Sequence, residues 1–542
     1  MRAIRHILVW VACMFIFTTS HAVKMRSKSA SIDPDNTAVL EPAVPMMTKA
    51  VAPGGYAKYD APRSGTIVYP VALVEFKNRQ FITQDTAQLR RFYDRMLNER
   101  GFVPYTPSMF VAPSGDTTYI FPTSGSVSDY YQDQSYGKFT PRFKVIGPIR
   151  LSRDYDYYGR YDRNSRKLMR ELCDSIAKHG DVDLREFVRD GKIDAFSFIY
   201  AGRGSNYDGS DPYTLQPLFD TIQNVRGIDR ITYCSACELF WSSDSIVDGI
   251  GIFCHEFAHT LGLPDFYNTV SPSSENNTIS MSIWSLMDYG NYCNEGFTPV
   301  GLTAFEKYSL GWLDIEEITT PGHYTLSDIS QAPDPDAGIH VAYRLNTDNE
   351  DDFIVLENHN RAGWYEYNMC EGMMVTAVSY NHNSWTGNYV NSSTTASKKR
   401  FHILVADNNF SRTTEYADLF PYNDVDSITI NGQPQLIANT SLPHYSVYLI
   451  KRNAGLVSFY AGTDRESKAS GHLHDDISMT VESGYLNICA PTGSKVSIHE
   501  LSGKTIMETV METDMLSVPI SGRGIWLVKC GNRVRKLKIT SV

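Results

Sequence analysis

The stretch Cys254-His255-Glu256-Phe257-Ala258-His259-Thr260-Leu261-Gly262-Leu263-Pro264-Asp265 constrains this chain more than any other. Histidines four residues apart lie one turn apart on one face of a helix, close enough to share a metal ion. Glu256 follows the first histidine and points beside such an ion, where a base for a metal-bound water would sit. Gly262 suits the left-handed residue that ends a helix, and the turn it makes lets Asp265 offer a third ligand. Two imidazoles and one carboxylate leave a fourth position open, as in catalytic zinc sites. An Fe(II) oxygenase triad uses the same ligand types but has no need of a glutamate between the histidines. His255, His259 and Asp265 are therefore the expected zinc ligands of a hydrolase centre, with Glu256 as its base. Ser245, with Asp248 three residues on, resembles a capping box, so the helix is expected over Ser245 to Leu261.

A chain of 542 residues exceeds what one core usually organises, and two or three domains are expected. The formal charge of −11 comes without a long basic run, which argues against nucleic acid as a partner. At the start, Arg2 and Arg5 precede an apolar run from Ile7 to Phe17 that leads into Ser20-His21-Ala22. Charged start, short apolar core and small residues describe a secretory signal peptide over 1–22, and the run is too short to span a membrane. No other segment approaches spanning length. Export removes Cys13 and leaves eight cysteines, an even number that an oxidising compartment allows to pair. Cys234-Ser-Ala-Cys237 is a single C-x-x-C, read as a buried or locally bridged pair before any redox or metal role.

Residues 23–63 are rich in Ala, Pro, Ser and Lys and read as a lead-in or propeptide. From Thr66 the pattern tightens. Ile67 to Phe76 is a near-continuous apolar run, as in a buried central strand. Ser126 to Ser135 reads as a helix, Phe139 to Ile146 as a strand, and Leu168, Leu172 and Ile176 as one helical face. Phe196 to Tyr200 is a further strand, expected at the edge of a substrate cleft. Strands alternating with helices make 64–313 an α/β domain. Asp190-Gly191 and Asp194 place carboxylates around a turn, a place for calcium, but they match no complete ligand set and an ordinary turn is favoured. Beyond Trp312, short alternating runs separated by Asn, Asp and Gly give a β-rich domain over 314–462. A polar linker over 463–475 then leads to a small β-sandwich over 476–542.

Downstream of the metal motif lies Ile283-Trp284-Ser285-Leu286-Met287-Asp288-Tyr289-Gly290. It resembles the Met-turn of the metzincin metalloproteases, a methionine-bearing turn beneath the metal. Met287 is then structural, and the M-x-Y spacing makes Tyr289 a candidate oxyanion stabiliser. With HEFAHTLGLPD, WSLMDYGNY and Ala304 to Trp312, the chain resembles the immune-inhibitor-A-like secreted metalloproteases. SVSDYYQDQSYGKF, FIYAGRG, FIVLENHNRAGW and ILVADN extend that resemblance over roughly 64–462. Leu215-Gln216-Pro217-Leu218 departs from the pattern where a Trp/His-containing stretch is expected. The resemblance implies a metzincin-like fold and a secreted zinc endopeptidase using the residues named above. The last segment, with Val496-Ser497-Ile498 and Gly524 to Val528, resembles the small β domains that export and anchor proteins through the Bacteroidetes type IX pathway.

The expected partners are protein or peptide substrates, outside the cell or on its surface. Two other readings stay open at this point. One is an adhesion protein with an inactive protease fold, and the other is a zinc hydrolase acting on glycan amides or esters. Glu306, on an expected helix downstream, is the alternative third ligand to Asp265.

Overall fold

Because Ile67 to Phe76 carries apolar residues at both odd and even positions, it buries both faces of a strand at once. In the computed structural model it is β1 (Gly65–Glu75), whose last seven residues are all buried. The structure describes residues 61–103, 108–111, 117–120, 125–159, 164–207, 213–241, 243–270, 280–392, 399–423, 425–429, 443–463, 478–482, 485–489, 493–500, 504–511, 515–519, 524–530 and 533–539. The expected signal peptide lies outside them, as do nearly all of the lead-in and the linker.

After β1 come α1 (Thr86–Asn98), α2 (Val127–Gln134), β2 (Phe139–Arg150), α3 (Ser165–His179), β3 (Lys192–Arg203), β4 (Phe219–Val225), β5 (Ile228–Leu239), α4 (Gly251–Leu261) and α5 (Ala304–Ser309). The strands form one sheet in the order β2-β1-β3-β5-β4. Its first four strands run parallel, and β4 is antiparallel to β5 at the edge. Alternation along β1 separates two cores. Val71 and Leu73 face the side that holds α1, α2 and α4, while Ala72 and Val74 face α3. β3 is a central strand, its backbone engaged by β1 and β5, so the expectation that Phe196 to Tyr200 forms the cleft edge is corrected. The edge on the α4 side of the sheet order is β4.

Cys234 and Cys237 are both buried and unbridged. Three residues apart on β5, they point to opposite faces of the sheet and so belong to different cores. Local bridging is thereby ruled out. Cys173, Cys254, Cys293 and Cys370 are free thiols as well.

Residues beyond Trp312 are mostly strand. Glu316–Glu317, Ala342–Asn346, Asp352–His359, Gly372–Ser379 and Phe401–Ile403 make a second five-stranded sheet. A short helix, α6 (His382–Thr386), follows its central hairpin. This region does not have a core of its own on the side facing the α/β layers. Phe353, Val355, Trp364, Met374, Trp385, Phe401 and Ile403 share one apolar cluster with Phe257, Leu286, Met287 and Trp312. Directional bonds tie the same seam: Trp364 Nε1 to Asp133 (3.0 Å), Trp284 Nε1 to Asp418 (2.8 Å) and Tyr365 Oη to the Leu302 carbonyl (2.7 Å). Residues up to Ala461 form one compact unit and those from Gly462 a second. In the second, a three-stranded and a four-stranded antiparallel sheet share a cluster of Leu486, Ile488, Val496, Ile498, Trp526 and Val528.

Candidate metal centre

The helix that carries both histidines is shorter than the sequence suggests. It runs from Gly251 to Leu261, and Ile250 precedes it without a side-chain cap. The expected capping box fails because its carboxylate is used elsewhere. Asp248 accepts a hydrogen bond from Tyr207 Oη (2.7 Å) and another from the Gly249 N–H (2.8 Å). Buried there, its carboxyl is pushed up to about 7 by desolvation, against those hydrogen bonds. At the other end Gly262 is left-handed (φ 108°), and its N–H bonds back to the carbonyls of Ala258 and His259.

Every residue of α4 is buried except Glu256, which is partly exposed. Its apolar face packs through Phe257 on Tyr69, Phe143 and Tyr131, with ring centroids 5.1–5.3 Å apart. Tyr131 Oη also donates to the Cys254 carbonyl at 2.5 Å. The helix is thus fixed on the sheet side, and the histidines face the other way.

His255 Nδ1 lies 2.8 Å from the Leu286 carbonyl and His259 Nδ1 lies 2.7 Å from the Leu263 carbonyl. A carbonyl oxygen only accepts, so each Nδ1 carries the proton and each Nε2 presents a lone pair. Those two Nε2 atoms sit 3.1 and 3.2 Å from Asp265 Oδ1. The three ligand atoms form the group capable of holding a metal among the described residues. Tetrahedral ligands at zinc distances of about 2.0–2.1 Å are about 3.3 Å apart, close to this spacing. Three acceptors pointing at one another without a hydrogen between them repel, and Asp265 Oδ1 is a buried atom that no donor satisfies in this tautomer. A cation resolves that conflict, so the donor set fits zinc. The electrostatics show the same pull toward positive charge, which a proton on an imidazole Nε2 answers as a metal ion does. Burial opposes charge on both partners, yet Asp265 and Glu256 draw His255 up to about 9, and the imidazoles hold Asp265 far below the carboxylate range.

Asp265 is reached by an extended loop tied to the Met287 turn, since the Phe266 N–H donates to the Met287 carbonyl (2.8 Å). Met287 itself is fully buried. Ser285 Oγ accepts from the Met287 N–H (3.0 Å) and donates to Glu306 (2.6 Å). Glu306 is therefore outside the ligand group. It closes the capping box of α5 with Thr303 and braces the Met287 turn from below. Tyr289 is partly exposed, beside Tyr292 with ring centroids 6.4 Å apart. The Asp190–Asp194 turn is closed by ordinary means: Gly191 passes close to Asp229, and Asp194 faces Arg189 at 3.8 Å.

Three further residues meet the site. Tyr267, two positions after Asp265, hydrogen-bonds to it. Burial and the charges of Asp265 and Glu256 push its phenol well up, so it keeps its proton. The D-x-Y spacing was the available signal. Phe219, the first residue of edge strand β4, packs on the His259 ring at 5.5 Å between centroids. The divergent Leu215 to Leu218 stretch leads directly into it. Asn388, 123 residues beyond Asp265, bonds to it twice, and nothing local in the sequence marks it.

Residues 239–314, which include every expected ligand, match the family Immune inhibitor A peptidase M6, catalytic domain. Among curated proteins, the chain is similar to the Pre-pro-metalloprotease PrtV of two Vibrio cholerae serotype O1 strains, M66-2 and ATCC 39315 / El Tor Inaba N16961. Each is 23% identical over 276 residues, covering 43% of this chain and 29% of the relative. The chain thus spans under a third of the length of the curated relatives it matches. The segment that builds the centre is thus the part of the chain that matches the catalytic-domain model of the immune inhibitor A peptidases.

Proposed function

We propose that this chain is a secreted zinc endopeptidase in which His255, His259 and Asp265 hold the metal and Glu256 is the general base. The observation that carries the reading is the convergence of both histidine Nε2 atoms on Asp265 Oδ1, at 3.1 and 3.2 Å, with each Nδ1 held by a backbone carbonyl. A zinc ion there acts as a Lewis acid that acidifies water and polarises a peptide carbonyl.

The chain's own groups do the rest. Glu256, the one partly exposed residue of α4, lies close enough to His255, Tyr267 and Cys234 to influence each electrostatically. From there its carboxylate takes a proton from water and returns it to the leaving amine. Edge strand β4 offers its outer backbone to an extended peptide, and Phe219 sets that strand against His259. Tyr289 is the phenol assigned to steady the oxyanion, because its turn is anchored by Met287 and its ring is partly exposed. The N-terminal signal accounts for export. The second unit, with its own small core, is proposed as a sorting or anchoring domain.

The test is Glu256→Gln in the purified mature chain. The variant should bind zinc as the wild type does and lose protein hydrolysis by a factor of about 10²–10⁴. Undiminished casein cleavage by the variant would sink the assignment. Wild-type activity confined to glycan amides or esters would move the substrate class.

A further inference from the structure

The third ligand is not held by its own loop alone. Asn388 follows α6 in the β-rich region and adopts a left-handed conformation (φ 58°), which asparagine tolerates better than most residues. Its side-chain amide pairs with Asp265 through both of its polar atoms. Nδ2 donates to Asp265 Oδ2 at 2.7 Å, and Oδ1 accepts the Asp265 backbone N–H at 2.7 Å. Two bonds to one residue fix both its backbone and the rotation of its carboxylate. With Oδ2 occupied, Oδ1 is the oxygen turned toward the two Nε2 atoms. Neighbouring bonds hold the two segments in register. Thr269 Oγ1 donates to the Asn388 carbonyl (2.8 Å), and Asn391 Nδ2 donates to the Phe266 carbonyl (2.8 Å).

Resting on the zinc reading above, we propose that Asn388 is a positioning residue for the metal: it selects which oxygen of Asp265 the centre presents, and so sets the affinity of the site from a strand region that follows the catalytic segment. Groups that hydrogen-bond a metal ligand and orient it typically change affinity by about 10–100-fold when removed. A residue that merely packed the loop would alter stability and leave affinity alone.

The experiment is competition for Zn²⁺ against a chromophoric chelator, with the thermal midpoint of the metal-free protein measured alongside. Asn388→Gly removes the amide while keeping a residue that accepts positive φ. Asn388→Asp keeps the shape and the acceptor but turns a carboxylate on the Asp265 carboxylate. Thr269→Val cuts the neighbouring tether and leaves the amide in place. Both Asn388 variants should bind zinc about 10–100-fold more weakly, and Thr269→Val within about threefold of wild type. The metal-free midpoints of Asn388→Gly and Thr269→Val should fall by similar amounts, so that the loss of zinc affinity in the first is not a loss of stability. Wild-type zinc affinity in either Asn388 variant would overturn the proposal. A wild-type protein that takes up no zinc would overturn the parent reading along with it.

Discussion

Gly251→Ala separates what helix propensity predicts from what this fold predicts. Position 251 is the first residue of α4, and replacing a helical glycine with alanine ordinarily stabilises by about 1 kcal/mol. Here the added Cβ would lie 2.0 Å from the Asn291 carbonyl oxygen and 2.9 Å from that of Gly296, where ordinary contact begins near 3.4 Å. Both obstacles are backbone atoms in the segment that follows the Met287 turn, so no side chain can swing aside. Helix and turn must part by about 1.4 Å, a clearance taken from the 2.0 and 3.4 Å contacts. Such overpacking costs about 1–3 kcal/mol, which outweighs the propensity gain. It also acts on the chemistry. His255 rides on the helix and its Nδ1 bonds to Leu286 in the turn, so parting them misaligns the imidazole. A displacement of about 1 Å in a catalytic group costs about 10²-fold in rate. The assay is kcat/KM of the zinc-loaded protein on a quenched peptide library, with urea unfolding of the same samples. A variant that is both more stable and fully active would refute the close-approach argument.

Two more outcomes follow from the buried carboxyls. Asp265→Ala should abolish tight zinc binding, whereas Glu306→Ala should leave Asp265 in place and lower stability, because the Ser285 hydroxyl and the Thr303 N–H lose their buried acceptor. Equilibrium dialysis with denaturant titration distinguishes the two, and the reverse pattern would make Glu306 the ligand. Glu238 is pushed up to about 7 by burial, opposed by bonds from the N–H groups of Gly202 and Ile82. Its folded value lies above its unfolded one, so its contribution is full below about pH 4.5 and fades as pH rises through 7. Wild-type stability should therefore fall between about pH 4.5 and 8 by up to about 3 kcal/mol more than that of Glu238→Gln, measured by urea midpoints. Equal slopes would show that the carboxyl is not buried in solution.

What could be read in the chain, and what could not, divides by range. α2 was legible because Ser126 and Asp129 form a true capping box within four residues, and β1 because its apolar run leaves no polar face. His255, His259, Gly262 and Asp265 fall inside one turn-and-loop span, so their spacing encodes their geometry. The same local grammar misled at Ser245 and Asp248. There Tyr207, 41 residues earlier, claims the carboxylate, and the helix starts at Gly251. The strand at Phe196 looked like an edge because apolar content cannot say which neighbours a strand has. Asn388 sits in a polar loop after a glycine, and its partner is fixed only once the two sheets are packed.

That packing bears on how the chain can be divided. A cut after residue 313 follows a real change in sequence texture, yet it passes through one apolar cluster that runs from Ala61 to Leu419. A fragment ending there would expose the Phe305 and Phe266 rings on which Phe353 and Phe401 pack, and would lose Asn388. The smallest heritable piece that carries a finished centre is therefore the whole span to Ala461, some five times longer than the 239–314 signature by which it is recognised. On the proposal made for Asn388, exchanging the strand region of this chain would change its metal affinity, whatever else the exchange was meant to change.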